Sequence, residues 1–129
     1  NDIEPKLGVD APTIVHHYPA QMAALSKVSN TDDRYAERFE LYVGGVELAN
    51  SFTELTDASE QRRRLEEEQR ERQRRGMNMY HVDEDFLEAV EQLQDCAGIA
   101  FGIDRFIQLL LDSQSIEDVL VLPASKLFK

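Results

Sequence analysis

A β-hairpin centred on Gly44-Gly45 constrains the fold of this 129-residue chain more than any other feature. Apolar and polar residues alternate from Phe39 to Asn50, and the two glycines allow the positive φ angles of a two-residue turn. Such a turn fixes the register of both strands. The facing pairs are then Val43 and Val46, Tyr42 and Glu47, and Glu40 and Ala49.

The hairpin is predicted to have one apolar and one polar face, because side chains alternate along a strand. The apolar face carries Phe39, Leu41, Val43, Val46 and Leu48. The other face carries Glu40, Tyr42, Glu47 and Ala49. We therefore expect the glutamate-bearing face to be the less buried of the two.

The remaining patterns predict a mixture of strands and helices. Strands are expected at 13–18, 97–101 and 119–122, and 20–28 reads as a short helix or an ordered loop. Helices are expected at 57–75, from Asp83 onward with an apolar stripe of Phe86, Leu87, Val90 and Leu93, and at 103–111. The predicted fold class is α+β, an antiparallel sheet flanked by helices.

Composition indicates one soluble cytoplasmic domain. The chain is 42% hydrophobic and 30% charged, as in ordinary globular proteins. It has no apolar run of about 18 residues and no signal peptide, so no membrane partner is expected. The single cysteine, Cys96, cannot form an internal disulfide and is interpreted as a passive thiol.

The net charge of −11 is unevenly distributed. Residues 57–76 carry +1, so the rest of the chain carries −12. An acidic body argues against a simple nucleic-acid binder and suits cationic ligands or metal ions. The arginine-rich helix at 57–75 could contact RNA, or it could be a solvated face with balanced charges.

Glu40 and Glu47 are diagonal neighbours on one face of the hairpin, within reach of a shared ion. Oxygen ligands favour a hard cation such as magnesium, which also takes phosphate oxygens. The alternative is a pair of solvated glutamates on an exposed sheet. His16, His17 and His81 lack the spacing of a metal site.

Asn50, Phe52 and Glu54 alternate along the strand that leaves the hairpin. An amide, an aromatic ring and a carboxylate could enclose an ammonium group. Because Glu47 and Asn50 have opposite parity, the chain must bend or bulge near Ser51 for both to face one ligand. An ordinary strand end is the alternative.

Arg105 begins a strongly apolar predicted helix. An arginine that leads into a buried helix needs an anionic partner, either a phosphate or a structural carboxylate such as Asp104. Gly98 and Gly102 border the preceding strand and permit close approach of the backbone.

These segments, in this order, resemble the lysyl-type class II aminoacyl-tRNA synthetases over nearly the whole chain. The similar segments are Ala36–Glu40, Glu47–Asn50, Glu54-Leu55, Gly102–Arg105, Ser115–Val119 and Leu122-Pro123. Glu117 departs from the family, which usually has arginine there. The resemblance implies part of a class II catalytic core, with ATP and lysine bound on the sheet.

The resemblance also implies a role for each candidate residue. Glu40 and Glu47 match magnesium ligands that help to bind ATP, and Arg105 matches the third class-defining motif, a catalytic arginine that contacts ATP. The positions around the lysine side chain are matched by Asn50, Phe52 and Glu54.

Three features resemble the short synthetase-like enzymes that attach β-lysine to elongation factor P, namely Tyr18–Leu25, Asp95–Gly98 and Ala100. The tRNA-charging enzymes usually have glycine where Ala100 stands, so a methyl group there would reshape the amino-acid pocket. The implied reaction forms a lysyl or β-lysyl adenylate from ATP and transfers the acyl group to a lysine of elongation factor P. A tRNA-charging synthetase and a catalytically silent binding module are the alternatives.

The family's first motif, which builds the dimer, and its second motif, which holds the α-phosphate, have no counterpart in residues 1–129. The chain is therefore expected to be the C-terminal portion of a catalytic domain. The intact parent is expected to be an active homodimeric ligase, and the 129 residues alone are expected to be inactive.

Overall fold

The computed structural model describes residues 2–127, and within them four strands form one sheet. The strands are β1 (Thr13–Pro19), β2 (Tyr35–Val43), β3 (Val46–Thr53) and β4 (Ala97–Phe101), adjacent in sequence order. The helices are α1 (Ala58–Arg74), α2 (Glu84–Glu91), α3 (Ile103–Leu110) and α4 (Ala124–Leu127). Short 3₁₀ turns lie at Glu4–Lys6, Ala20–Met22 and Ile116–Asp118. The predicted α+β class with an antiparallel sheet is confirmed.

The chain divides into two compact units, which are described separately. Unit 1 comprises the described residues of 1–15, 39–50 and 99–129. Unit 2 comprises residues 16–38 and 51–98. The predicted domain also included residues 1, 128 and 129, which lie outside the described part of the chain.

The Gly44-Gly45 turn of unit 1 has the predicted geometry. Both glycines have positive φ, 59° and 78°, as a two-residue turn between strands requires. The Gly44 amide donates to the carbonyl of Gly8 at 2.7 Å, and the Gly45 amide donates to that of Leu7 at 2.9 Å. The hairpin prediction is confirmed, and the N-terminal loop supports its tip.

The prediction about the faces of the hairpin is wrong. Glu40, Tyr42 and Ala49 are buried, whereas Phe39 and Val43 on the apolar face are only half-buried. A charged side chain tolerates burial when a hydrogen bond satisfies it. Glu40 meets this condition, because the Tyr42 hydroxyl donates to its Oε2 at 2.6 Å.

Helix α3 forms as predicted, but it is not the buried helix that its sequence suggested. The described structure buries no residue of α3, and Leu110 is 68% exposed. The predicted strand at 119–122 is also wrong. The amides of Val119 and Leu120 both donate to the Ile116 carbonyl, so this stretch completes a local turn.

In unit 2, the ends of α1 match their sequence signals. The Asp57 carboxylate accepts a hydrogen bond from the Glu60 amide at 3.0 Å, and Gly76 follows the helix with φ 66°. Asp83 caps α2 in the same way, and Leu87 and Val90 are buried as predicted.

The predicted apolar stripe of α2 is buried only in its centre. Phe86 is more than one-third exposed, and Leu93 lies beyond the end of the helix at Glu91. Burial therefore covers the two middle members, Leu87 and Val90, and leaves the outer two in contact with solvent.

No helix in residues 2–127 combines the length and the apolar character that a bilayer crossing requires.

Candidate active site

The polar face of the hairpin in unit 1 places Tyr42 between the two candidate magnesium ligands. Tyr42 lies opposite Glu47 in the register that the glycine turn sets, and its hydroxyl donates to Glu40. One oxygen of the Glu40 carboxylate is therefore held in a fixed position by a neighbour on its own strand. Glu47 is half-buried on the facing strand.

The donor set of this face fits a magnesium ion that is bound jointly with a nucleotide. Within residues 2–127, no group of three or more histidine, cysteine or acidic side chains is arranged to hold a metal. Magnesium usually takes one or two carboxylates, several waters and substrate phosphates rather than an all-protein cage. Glu40 and Glu47 can supply the two carboxylates.

Arg105 lies in the first turn of α3 and is exposed. Its Nη1 donates to the main-chain carbonyl of Glu47 at 2.9 Å, which ties the guanidinium to the hairpin. It makes no ion pair with Asp104 or any other acid in the described part of the chain. The structure thus shows an exposed cation beside the main chain of Glu47, and the structural salt bridge considered for it is absent from residues 2–127.

Gly102 holds the start of α3, and with it Arg105, against the hairpin. The Gly102 amide donates to the Leu48 carbonyl at 2.8 Å, and the Phe106 amide donates to the Gly102 carbonyl at 2.9 Å. The stem of Arg105 folds over Gly102, where an added Cβ would lie 3.3 Å from Cδ of the arginine. Gly102 therefore joins β4 to α3 and leaves room for the arginine stem.

Asn50 and Ala100 are brought together in unit 1. Since Gly102 pairs with Leu48 across antiparallel β3 and β4, the same register sets Asn50 opposite Ala100. Facing residues project to the same side of a sheet. The Ala100 methyl group therefore borders the side of β3 on which Asn50 lies.

In unit 2, Glu54 is the candidate residue with the most constrained position. Its amide donates to the Cys96 carbonyl at 3.0 Å on one side, and it forms an antiparallel bridge with Ser26 on the other. Its carboxylate lies over Gly98, where an added Cβ would be 2.5 Å from Glu54 Oε1. A side chain at position 98 would therefore require the Glu54 carboxylate to move from this place.

Strand β3 continues through Ser51 to Thr53, so the bend expected near Ser51 does not interrupt the strand. The Ser51 hydroxyl donates to the Gly98 carbonyl at 2.8 Å. Phe52, the next residue of β3, is half-buried. The alternation of burial is interrupted earlier, at Leu48 and Ala49, which are both buried.

Sequence reasoning missed the parts played by Tyr42 and Gly98. The sequence pattern puts Tyr42 on the same face as Glu40, and the spacing of two residues between them is the available signal. The sequence indicates only a close backbone approach at Gly98, whereas the atom that this glycine accommodates is a side-chain oxygen of Glu54. That contact joins residues 44 positions apart, so local patterns could not identify it.

Residues 4–126 match the family model described as tRNA synthetases class II (D, K and N). This match covers almost the whole chain. The chain belongs to the class II aminoacyl-tRNA synthetase family. The predicted membership is therefore confirmed, and the hairpin, β4 and α3 are elements of a class II synthetase domain.

Among curated members of this family, the similar proteins are elongation factor P–(R)-β-lysine ligases. The chain is 47% identical to that of Pectobacterium atrosepticum over 119 residues, and 48% identical to that of Proteus mirabilis over 122 residues. It is 42% identical to that of Yersinia enterocolitica over 125 residues. These alignments cover 92%, 94% and 96% of this chain. They cover 37%, 38% and 38% of the relatives, so the chain spans less than two-fifths of their length.

Proposed function

We propose that this chain is the C-terminal portion of the catalytic domain of an elongation factor P–(R)-β-lysine ligase. The observation that carries this proposal is the identity of 42–48% over more than nine-tenths of the chain to ligases of that name. The intact ligase uses ATP as a substrate to activate β-lysine or lysine as an acyl-adenylate. It then transfers the acyl group to a lysine side chain of elongation factor P.

In this proposal, unit 1 binds the nucleotide. Arg105 presents an exposed positive charge at the start of α3, and it offsets the charge that develops on the phosphates when the amino-acid carboxylate attacks. Glu40 and Glu47 would hold magnesium, which when bound would neutralise charge on the ATP phosphates. The hydrogen bond from Tyr42 keeps the Glu40 carboxylate in one orientation.

The amino acid is selected by side chains at positions 50, 52 and 54, of which Asn50 and Phe52 lie on β3 and Glu54 follows directly after it. In unit 2, Glu54 supplies a carboxylate and Phe52 an aromatic ring, and these two groups suit a primary ammonium group. In unit 1, Asn50 supplies an amide that can accept a hydrogen bond from an amine. Ala100 adds a methyl group opposite Asn50. This methyl group fills space beside the substrate backbone, which favours an amino acid whose amine is displaced by one carbon.

The two steps of the proposed reaction require only ATP, the amino acid and the acceptor lysine as reactants. The substrate carboxylate attacks the α-phosphate of ATP, and pyrophosphate leaves. The neutral amine of the acceptor lysine then attacks the acyl carbon, an amide forms, and AMP leaves with a proton released from the amine. Homodimerisation of the intact ligase and a cytoplasmic location belong to the same proposal.

The identity of the acyl acceptor tests this function. The full-length ligase that carries this chain should be incubated with ATP, magnesium and radiolabelled β-lysine or lysine, and with either unmodified elongation factor P or total tRNA. We expect label on elongation factor P and none on acid-precipitated tRNA. Labelled tRNA with unlabelled elongation factor P would overturn the proposal in favour of a tRNA-charging enzyme.

A further inference from the structure

Three main-chain carbonyls of unit 2 converge on one arginine. Arg64 of α1 donates from Nη1 to the carbonyls of Ala23 at 3.1 Å, Ala24 at 3.3 Å and Ser26 at 2.8 Å. Gln61, one turn earlier on α1, donates to the Ala24 carbonyl at 3.3 Å. The segment 23–26 is therefore tied to α1 by two side chains of the helix.

Arg64 differs from the other arginines of α1 in its surroundings. Its side chain is 12% exposed, and Glu60 accepts from its Nε at 2.8 Å, which orients the guanidinium toward the carbonyls. Arg63, the preceding residue, is 54% exposed and pairs with Glu60 and Glu67 in solvent. A half-exposed ion pair contributes little to stability, whereas a buried fork of charge-assisted hydrogen bonds fixes geometry.

The segment that Arg64 holds is the pairing partner of Glu54. The Leu55 amide donates to the Leu25 carbonyl at 3.0 Å, and the Lys27 amide donates to the Thr53 carbonyl at 2.8 Å. Ser26 and Glu54 form the antiparallel bridge between these two hydrogen bonds. A shift of residues 23–26 would therefore move the backbone from which the Glu54 side chain projects.

We propose that Arg64 is a positioning residue for the amino-acid pocket, and that it sets the place of Glu54 by clamping the carbonyls of residues 23–26. This inference rests on the proposed function, in which Glu54 receives the ammonium group of the substrate. It assigns a specificity role to a helix whose other arginines are mostly paired with glutamates on its surface. Gln61, which is 1% exposed, is the second member of the clamp.

The first test is steady-state ATP–pyrophosphate exchange by the full-length ligase. Arg64→Ala is expected to raise the KM for β-lysine or lysine at least tenfold and to leave the KM for ATP within twofold. Arg64→Lys, which keeps the charge but lacks the planar fork, is expected to give an intermediate rise. Arg63→Ala is the matched control, because it removes an adjacent arginine and a pair with Glu60 but no bond to a carbonyl, and both KM values should stay within twofold.

A rise of both KM values by the same factor, or no rise in the amino-acid KM, would overturn the inference. The second test does not depend on catalysis. Hydrogen exchange at the amides of Lys27 and Leu55 should be at least tenfold faster in Arg64→Lys, with the Gly102 amide of unit 1 unchanged. Arg63→Ala should change none of the three.

These two tests separate failure of the inference from failure of the proposed function. A wild-type ligase that exchanges pyrophosphate with neither amino acid would contradict the proposed function, while the exchange rates at Lys27 and Leu55 would still decide whether Arg64 holds the strand of Glu54. If Arg64→Ala does not fold, Gln61→Leu and Arg64→Lys provide the comparison. Unchanged protection of both amides in these two variants would contradict the clamp.

Discussion

The two units use arginine in opposite ways. In unit 2, Arg64 is nearly buried and directs its guanidinium at three main-chain carbonyls and one carboxylate. In unit 1, Arg105 is exposed, and its one side-chain hydrogen bond within residues 2–127 goes to the Glu47 carbonyl. An arginine whose donors are taken up by the protein fixes geometry, whereas an arginine with an exposed guanidinium can bind an anion.

The helices that carry these arginines, α1 and α3, also differ in how their own side chains stabilise them. Helix α1 is stabilised along its own surface, by Asp57 at its start and by a series of glutamate–arginine pairs. Helix α3 has no side-chain cap at Gly102, and its apolar residues remain substantially exposed. Local sequence therefore accounts for the existence of both helices, and the side-chain pairs along α1 add to the stability of that helix.

The largest effect is expected from Arg105→Ala in the full-length ligase. Because the proposed function places Arg105 at the reacting phosphates, its loss should lower the rate of ATP–pyrophosphate exchange about 100- to 1,000-fold. Because the side chain is exposed, the melting temperature should change little. A variant with wild-type exchange would show that Arg105 does not contact the nucleotide.

A smaller effect on activity is expected from Gly98→Ala, which tests the contact between Gly98 and Glu54 in unit 2. The new methyl group would lie 2.5 Å from Glu54 Oε1, so the carboxylate must move. We expect the KM for the amino acid to rise about tenfold, equivalent to roughly 1.4 kcal/mol, with the KM for ATP unchanged.

The shorter side chain in Glu54→Asp provides the control for this contact. In the Gly98→Ala background, Glu54→Asp should raise the KM for the amino acid by a smaller factor than it does in the wild type. The reason is that the methyl group of residue 98 no longer meets the shorter carboxylate. A double-mutant cycle measures this coupling. Strictly additive effects would mean that Gly98 does not accommodate Glu54.

Tyr42→Phe should have a moderate effect that is confined to unit 1. It removes the hydroxyl that donates to the buried Glu40 carboxylate, and such a loss costs about 1–3 kcal/mol of stability. We also expect a higher magnesium concentration for half-maximal activity. Tyr35→Phe, on the same strand but in unit 2, should leave the magnesium requirement unchanged; an equal shift in both variants would contradict the role of Tyr42.

The smallest effect is expected from the pH dependence contributed by Glu60. Hydrogen bonds from Arg63 and Arg64 lower the pKa of this carboxyl from 4.5 to about 2. A lowered folded-state pKa stabilises the protein above the unfolded pKa, and this stabilisation is lost as the pH falls from 4.5 toward 2. Because the pair is partly exposed, the contribution should be on the order of 1 kcal/mol.

Denaturant titrations of wild type and Glu60→Gln at several pH values measure this contribution. The difference in unfolding free energy between the two proteins should be constant above about pH 5 and should shrink below it. A difference that is independent of pH would show that the ion pairs of Glu60 do not stabilise the fold.

Short-range chemistry made part of this structure predictable from sequence. The Gly44-Gly45 turn, the Asp57 and Asp83 caps and the helix stop at Gly76 each depend on a few neighbouring residues. The family resemblance came from motifs at Glu40, Glu47, Asn50 and Arg105, and the family match confirms it.

Features that depend on long-range contacts could not be predicted. The alternation of apolar and polar residues predicted that the face with Glu40 would be the less buried one, but most of this face is buried. The alternation shows which residues share a face, and it does not show which part of the protein covers that face. The apolar run at 119–122 suggested a strand, but its amides are used in a local turn. Arg64 was indistinguishable from its neighbours, because its partners are carbonyls about 40 positions away.

The most direct test of the central claim is ATP–pyrophosphate exchange by the full-length ligase with (R)-β-lysine and with α-lysine, each over a range of concentrations. The proposed function predicts that the wild-type ligase exchanges pyrophosphate with both amino acids. It predicts a higher kcat/KM for β-lysine, because the methyl group of Ala100 lies opposite Asn50. A higher kcat/KM for α-lysine would contradict the β-lysine assignment. No exchange with either amino acid would contradict the proposal that these residues belong to an active ligase.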